Sequence, residues 1–139
     1  MHEAIVKLNS FLFVILFLFI ISCSVTDTDS AQNKIVGQWE WISSTGGFIG
    51  EKTTRDSAGV PNRHFNFNSD QTFNFYRSDT LIQTGIFSLN KKDGDLVISY
   101  NTKDENFFFD QRVSFQGSDT LILADECYDC YINTYIRTQ

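Results

Sequence analysis

The chain has 139 residues, 17 of them acidic and 11 basic, for a formal net charge of −6. That balance speaks against nucleic acid as a partner, because such a surface needs a basic patch. With 42% hydrophobic residues and 14 Phe, the chain has enough apolar surface to fold rather than stay disordered, and its length suits one domain.

Residues 1–22 read as a signal segment. Lys7 supplies a short basic start, and Phe11 to Ile21 form an unbroken apolar run of 11 residues. As a helix this run spans roughly 17 Å, well short of a hydrocarbon core of ~30 Å. The length suits export rather than spanning. The run ends in Ile20-Ile21-Ser22-Cys23, which resembles the lipobox of bacterial lipoproteins: aliphatic, tolerant, small, Cys. The resemblance implies a diacylglyceryl group on the Cys23 thiol, cleavage before Cys23, and a further acyl chain such as palmitate on the new amine. It makes the lipid bilayer a partner through acylated Cys23. An ordinary signal peptide with a coincidental Cys, or a short N-terminal membrane anchor, are the alternatives. Each buried CH₂ contributes about 0.8 kcal/mol, so two or three chains anchor a protein that has no spanning helix. Ser24 stands where an Asp would mark retention at the inner membrane. The resemblance therefore implies the outer membrane of the cell envelope, with leaflet and surface exposure open. Residues 23–34 comprise the lipidated Cys and a polar stretch without periodicity. It reads as a flexible tether with a reach of about 18 Å.

Residues 35–139 form the folded domain, and its periodicity is two almost throughout, the mark of strands. Val36 to Ile42 carries Trp39 and Trp41 on one face. Phe65 and Phe67 alternate with His64, Asn66 and Asn68. Phe73 and Phe75 alternate with Thr72 and Asn74. Leu81, Gly85, Phe87 and Leu89 share one face, and Leu96, Ile98 and Tyr100 another. Phe107, Phe109, Val113 and Phe115 alternate with Phe108, Asp110, Arg112 and Ser114. Leu121 with Leu123, then Ile132 with Thr134 and Ile136, complete eight strands.

Ser69-Asp70, Ser78-Asp79 and Ser118-Asp119 separate strand patterns, and Asp93-Gly94 is a hairpin signal. Short turns between successive strands force antiparallel neighbours. The expected fold is all-β: an eight-stranded antiparallel up-and-down barrel, with an open β-sandwich as the runner-up. Thr45 to Pro61, with four glycines, reads as a long loop.

Gly37-Gln38-Trp39 opens the first strand, and Tyr135-Ile136-Arg137 closes the last. This resembles the lipocalin pattern, and within it the small lipocalin-like lipoproteins of Gram-negative bacteria. The resemblance implies that Trp39 floors the barrel, that Arg137 closes over it, and that Gly37 permits a close approach. A guanidinium stacked on an indole contributes ~0.5–2 kcal/mol. Trp41 competes with Trp39 for the floor position, and the family's middle motif has no counterpart here.

Cys127-Tyr128-Asp129-Cys130 leaves an even pair once Cys23 carries lipid. In an oxidising compartment that pair forms a disulfide, and positions i and i+3 of a turn allow it. Free thiols, a redox pair or a zinc site are the alternatives. Asp125, Glu126 and Asp129 would raise the thiol pKa and work against redox chemistry. Zinc would need two more ligands, and His64 is the one His after residue 22. His64 alternates with Phe65 and reads as an exposed strand residue. No nucleophile motif is present, so no catalytic residues are assigned and the protein reads as a non-enzyme without a cofactor or metal. Phe108 points outward in this reading and Phe109 inward.

The expected function is binding. A small apolar ligand would sit in the open end, lined by Phe65, Phe67, Phe73, Phe75, Phe87 and Phe109. The alternative is a filled barrel that acts through its surface, as a protein-interaction or enzyme-inhibitor module whose partner is unknown. A cavity of ≳300 Å³ separates the two.

Overall fold

A computed structural model describes residues 27–103 and 108–138. The apolar run Phe11–Ile21, Cys23 and Phe107 lie outside the described residues.

Among the described residues, one helix and nine strands follow one another: α1 (Asp27–Ile35), β1 (Gly37–Gly46), β2 (Glu51–Thr54), β3 (Arg63–Phe67), β4 (Thr72–Arg77), β5 (Thr80–Lys92), β6 (Asp95–Thr102), β7 (Gln111–Gln116), β8 (Thr120–Asp125) and β9 (Tyr131–Thr138). Neighbouring strands pair antiparallel in the order β2-β1-β3-β4-β5-β6-β7-β8-β9, and β1 also pairs with β9. That last pairing closes eight strands into a barrel and leaves β2 outside it. The lower half of β1 pairs with β3, Gly37 with Phe67 through Glu40 with His64. Its upper half pairs with β2, Ser43 with Thr54 through Gly46 with Glu51. The segment expected as a loop thus contains a strand. Its four residues, Glu51-Lys-Thr-Thr, carry no apolar alternation to betray it.

The turns follow the sequence signals. Asp93 and Gly94 both have positive φ, as an Asp-Gly hairpin requires, and so do Ser78 and Asp79. Asp70 accepts from the backbone N–H and the hydroxyl of Thr72, at 3.0 and 2.6 Å. Those bonds to its charged form hold the Asp70 carboxyl below its ordinary value.

The helix is the larger departure. All of it but Ile35 falls in the stretch 23–34 expected as a flexible tether, and it is ordered by what receives it. Ala31 and Ile35, one turn apart, are buried in the core. The terminal carbonyls, which a helix cannot satisfy itself, find donors in the barrel. The Trp39 indole N–H donates to the Ile35 carbonyl at 2.7 Å. Arg137 donates from Nη2 to the Lys34 carbonyl at 2.6 Å and from Nη1 to the Val36 carbonyl at 2.9 Å. A nine-residue polar helix is marginal alone, and tertiary contact supplies its stability.

Two bulges shift the face assignments. Between Trp41 and Ser43 the register with β9 slips by one residue, so Ser44 follows Trp39 and Trp41 to the inside. Between Phe75 and Tyr76 the register with β5 slips as well. Leu81, expected to share a face with Phe87 and Leu89, is half exposed in consequence, whereas Phe87 and Leu89 are buried. On β9 the inward residues are Tyr131, Asn133, Tyr135 and Arg137, and the Ile132–Ile136 row faces out.

The core fills the end of the barrel beside α1. Ile35, Trp39, Phe67, Phe73, Phe87 and Leu121 are fully buried there. Phe67 meets Phe87 edge-on at 5.0 Å, and Trp39 packs on Phe115 at 6.3 Å. At 25 cal/mol per Å² of buried apolar area, each such ring contributes about 2–3 kcal/mol.

Candidate functional site

Along the inward face of nearly every strand the chemistry changes from one end of the barrel to the other. On β3 the inward row reads Phe67, Phe65, Arg63; on β4, Phe73, Phe75, Arg77. On β8 it reads Leu121, Leu123, Asp125, and on β7, Phe115, Val113, Gln111. On β1 it is Trp39, Trp41, Ser44, and on β9, Tyr135 is followed by Asn133. One half is therefore packed with hydrocarbon. The other is an open cavity of about 540 Å³ with both rings and polar groups on its wall. That volume falls within the range of small-molecule sites.

Of the six Phe expected to line a ligand site, the structure brings three to this cavity: Phe65, Phe75 and Phe109. Phe67, Phe73 and Phe87 are instead fully buried floor packing. They lie too near the closed end, where opposing rings fill the space. Phe108 and Phe109 both reach the cavity, but not on the faces expected of them. Phe108 packs into the core cluster, 4.8 Å from Tyr100 and 5.4 Å from Phe65, while Phe109 is 56% exposed at the rim. The cause is local: β7 begins at Gln111, so no strand alternation extends back through residues 108–110.

Two hydrogen-bonded chains hold polar groups of the wall. Buried Trp41 donates from its indole N–H to the Ser44 hydroxyl at 2.8 Å, and that hydroxyl donates to Asn133 Oδ1 at 2.6 Å. Tyr100 donates from its hydroxyl to Gln111 Oε1 at 2.7 Å. The Gln111 amide in turn donates to Asp125 Oδ1. The Tyr131 backbone N–H approaches the other Asp125 oxygen at 3.4 Å. Burial raises the phenols of Tyr100 and Tyr135 well above their ordinary value, and the Asp125 carboxylate adds to this.

Both tryptophans carry an arginine. Arg137 lies over Trp39 at the closed end, with its guanidinium carbon 4.2 Å from the ring centroid. Arg63 lies over Trp41 in the open half at the same distance. Trp39 is thus the floor residue, and Trp41 is buried behind two residues of the cavity wall, Arg63 and Ser44. Gly37 allows the first stack: its φ is +137°, and a Cβ there would collide with the Arg137 guanidinium. The two arginines differ in their partners. Arg137 also donates from Nε to the Ser118 carbonyl at 3.3 Å. Arg63 has a buried Nε without an acceptor. Burial lowers its pKa, Tyr135 opposes that shift, and neighbouring Arg77 adds to it.

Cys127 and Cys130 stand at disulfide distance, with Cα atoms 5.5 Å apart, in the turn between β8 and β9. The two sulfurs and an Asp125 oxygen lie within 4.8 Å of one another. Three donors, two of them paired with each other, are a poor metal set. His64 stacks on Tyr76 at 4.5 Å, on the outer face of β3 and β4 and away from the cysteines. The turn also abuts the β1–β2 hairpin, where a Cβ on Gly46 would run into the Cys130 carbonyl. Around the mouth, Phe48 and Tyr128 are almost wholly exposed at the tips of these two connections.

No protein family, no curated protein and no solved structure matches the chain.

Sequence reasoning missed the polar side of the cavity: Arg63, Arg77, Gln111, Asp125 and Asn133. The signal was present, since each sits two residues from an inward apolar side chain on the same strand.

Proposed function

We propose that the protein is a membrane-anchored, lipocalin-like lipoprotein that holds a small molecule in the open half of its barrel and catalyses no reaction. The observation that carries this reading is the cavity of about 540 Å³ above a packed floor. Acylation of Cys23 would fix the chain to the outer membrane four residues before α1. Because α1 docks on the closed end, the mouth would face away from the bilayer that holds the anchor.

Native mass spectrometry of the full chain extracted from membranes tests the binding role. The expected result is a population heavier than the acylated chain by the mass of one small molecule, lost on activation. A folded chain that carries its acyl groups and nothing else, and takes up no added small molecule, would refute it. A surface role is the second reading, favoured by exposed Phe48, Ile49 and Tyr128 about the mouth. Substituting all three by Ser would then abolish partner capture while leaving the cavity unchanged.

A further inference from the structure

The five arginines of the chain divide into two groups. Arg55 pairs with Glu40 at 3.2 Å. Arg112 pairs with Glu126 at 3.5 Å and Asp95 at 3.7 Å. Arg137 donates to three backbone carbonyls. Arg63 and Arg77 do neither: among the described residues, no carboxylate comes within ion-pair distance of either, and neither guanidinium donates a hydrogen bond. Yet these two are register partners on β3 and β4, and both line the cavity. Arg63 is half buried against Trp41, with its Nε enclosed and unsatisfied.

Two unpaired guanidiniums side by side are costly. Each repels the other, and a buried donor without an acceptor forfeits its solvation. The chain has 17 acidic residues, yet among the described residues none is paired with these two arginines. The acid that does line the cavity, Asp125, is on β8 and already engaged by Gln111 and the Tyr131 N–H. The wall therefore holds a positive side on β3 and β4 and a negative one on β8. Rings of Phe65, Phe75 and Phe108 lie beside them.

We propose that the cavity takes an anionic amphiphile, whose carboxylate or phosphate is held by Arg63 and Arg77 and whose aromatic or short apolar body lies against Phe65, Phe75 and Phe108. This rests on the binding role proposed above and adds the ligand class to it. Planar guanidiniums suit both anions, since each offers paired N–H groups to two oxygens. Asp125 repels the same head group and so sets the direction in which the ligand enters.

The test uses the full chain in phospholipid nanodiscs and three probes: 4-phenylbutyrate, 3-phenylpropyl phosphate and the neutral 4-phenylbutan-1-ol. Saturation-transfer NMR titrations, with empty nanodiscs as the blank, give the three affinities. At least one anion is expected to bind about tenfold or more tighter than the alcohol, the size of one charge-assisted hydrogen bond. The tighter of the two names the head group. Arg63→Gln and Arg77→Gln should each bring the anions toward the alcohol and leave the alcohol unchanged. If all three probes bind alike, the anion inference fails and the binding role stands. If none binds, the alcohol included, the binding role itself fails. Should Arg63→Gln unfold through loss of the Trp41 stack, Arg77→Gln decides alone, because Arg77 is exposed at the rim and supports no core ring. An unchanged preference for anions in that variant overturns the proposal.

Discussion

Arg137 and Trp39 are register partners on the last and first barrel strands, and together they terminate the helix that precedes the barrel. The guanidinium stacks on the indole at 4.2 Å, and both side chains donate to carbonyls between Lys34 and Val36. One pair thus closes the sheet, seals its floor and caps α1.

Arg137→Ala should accordingly cost roughly 1–3 kcal/mol, through lost packing as well as lost charge. Arg137→Lys should recover only part, because an ammonium cannot lie flat on the ring or fork between two carbonyls. Denaturant titration measures both. The amides of α1 should also lose protection from hydrogen exchange in the Ala variant. An unchanged midpoint with α1 still protected would contradict this account.

The buried phenols predict alkaline weakening. Tyr100 and Tyr135 have folded-state pKa values raised above the ordinary value near 10, chiefly by burial. In the unfolded chain both lose their protons around pH 10, while in the folded chain they keep them. The unfolded state then binds fewer protons, so stability falls as pH rises above that point. Stability measured from pH 8 to 11 should be flat at first and then decline. Tyr135→Phe should flatten the decline, and a parallel curve for that variant would remove Tyr135 from the explanation.

Much of the barrel was legible because its signal is local. Alternation of Phe65 with Phe67 and of Phe73 with Phe75 needs no tertiary information, and neither does the Asp93-Gly94 turn. What escaped depends on partners distant in the chain. α1 is ordered by Arg137, some hundred positions away, and its own sequence is polar. The bulges at Ile42 and beside Phe75 reverse faces without any residue that announces them. At the site, alternation identifies the inward Phe side chains that could line a ligand. Inward direction does not fix depth, however, and Phe67, Phe73 and Phe87 lie below the cavity. Arg63 continues the inward Phe67, Phe65 row although charged residues usually face water, so its type conceals what its position shows.

For Cys127 and Cys130 we expect a bond that closes a very small loop and removes little unfolded-state entropy. Its contribution should lie at the low end of the usual 0–5 kcal/mol. Intact mass after alkylation without reductant should show neither thiol modified. Two alkylated thiols in protein taken from an oxidising compartment would refute the pairing.

Anchoring through Cys23 predicts that Cys23→Ser either blocks processing or releases the chain from membranes. Fractionation with high-salt and carbonate washes reads the outcome. A Cys23→Ser chain that is cut normally and stays in the membrane pellet would disprove lipid attachment at that residue.

The barrel wall is not uniform around its circumference. β5 and β6 are joined over eight register pairs and β1 and β9 over eight, whereas β6 and β7 share only two, Val97 with Arg112 and Ile98 with Gln111. Beyond Ile98, among the described residues, the Tyr100 hydroxyl reaches across to Gln111 and its ring packs on Phe108. Outside, Arg112 bridges Asp95 and Glu126, with charges that water screens. A cylinder built this way has one meridian crossed by the fewest ladder bonds. Amides of β7 that face β6 should therefore exchange with solvent sooner than those between β1 and β9.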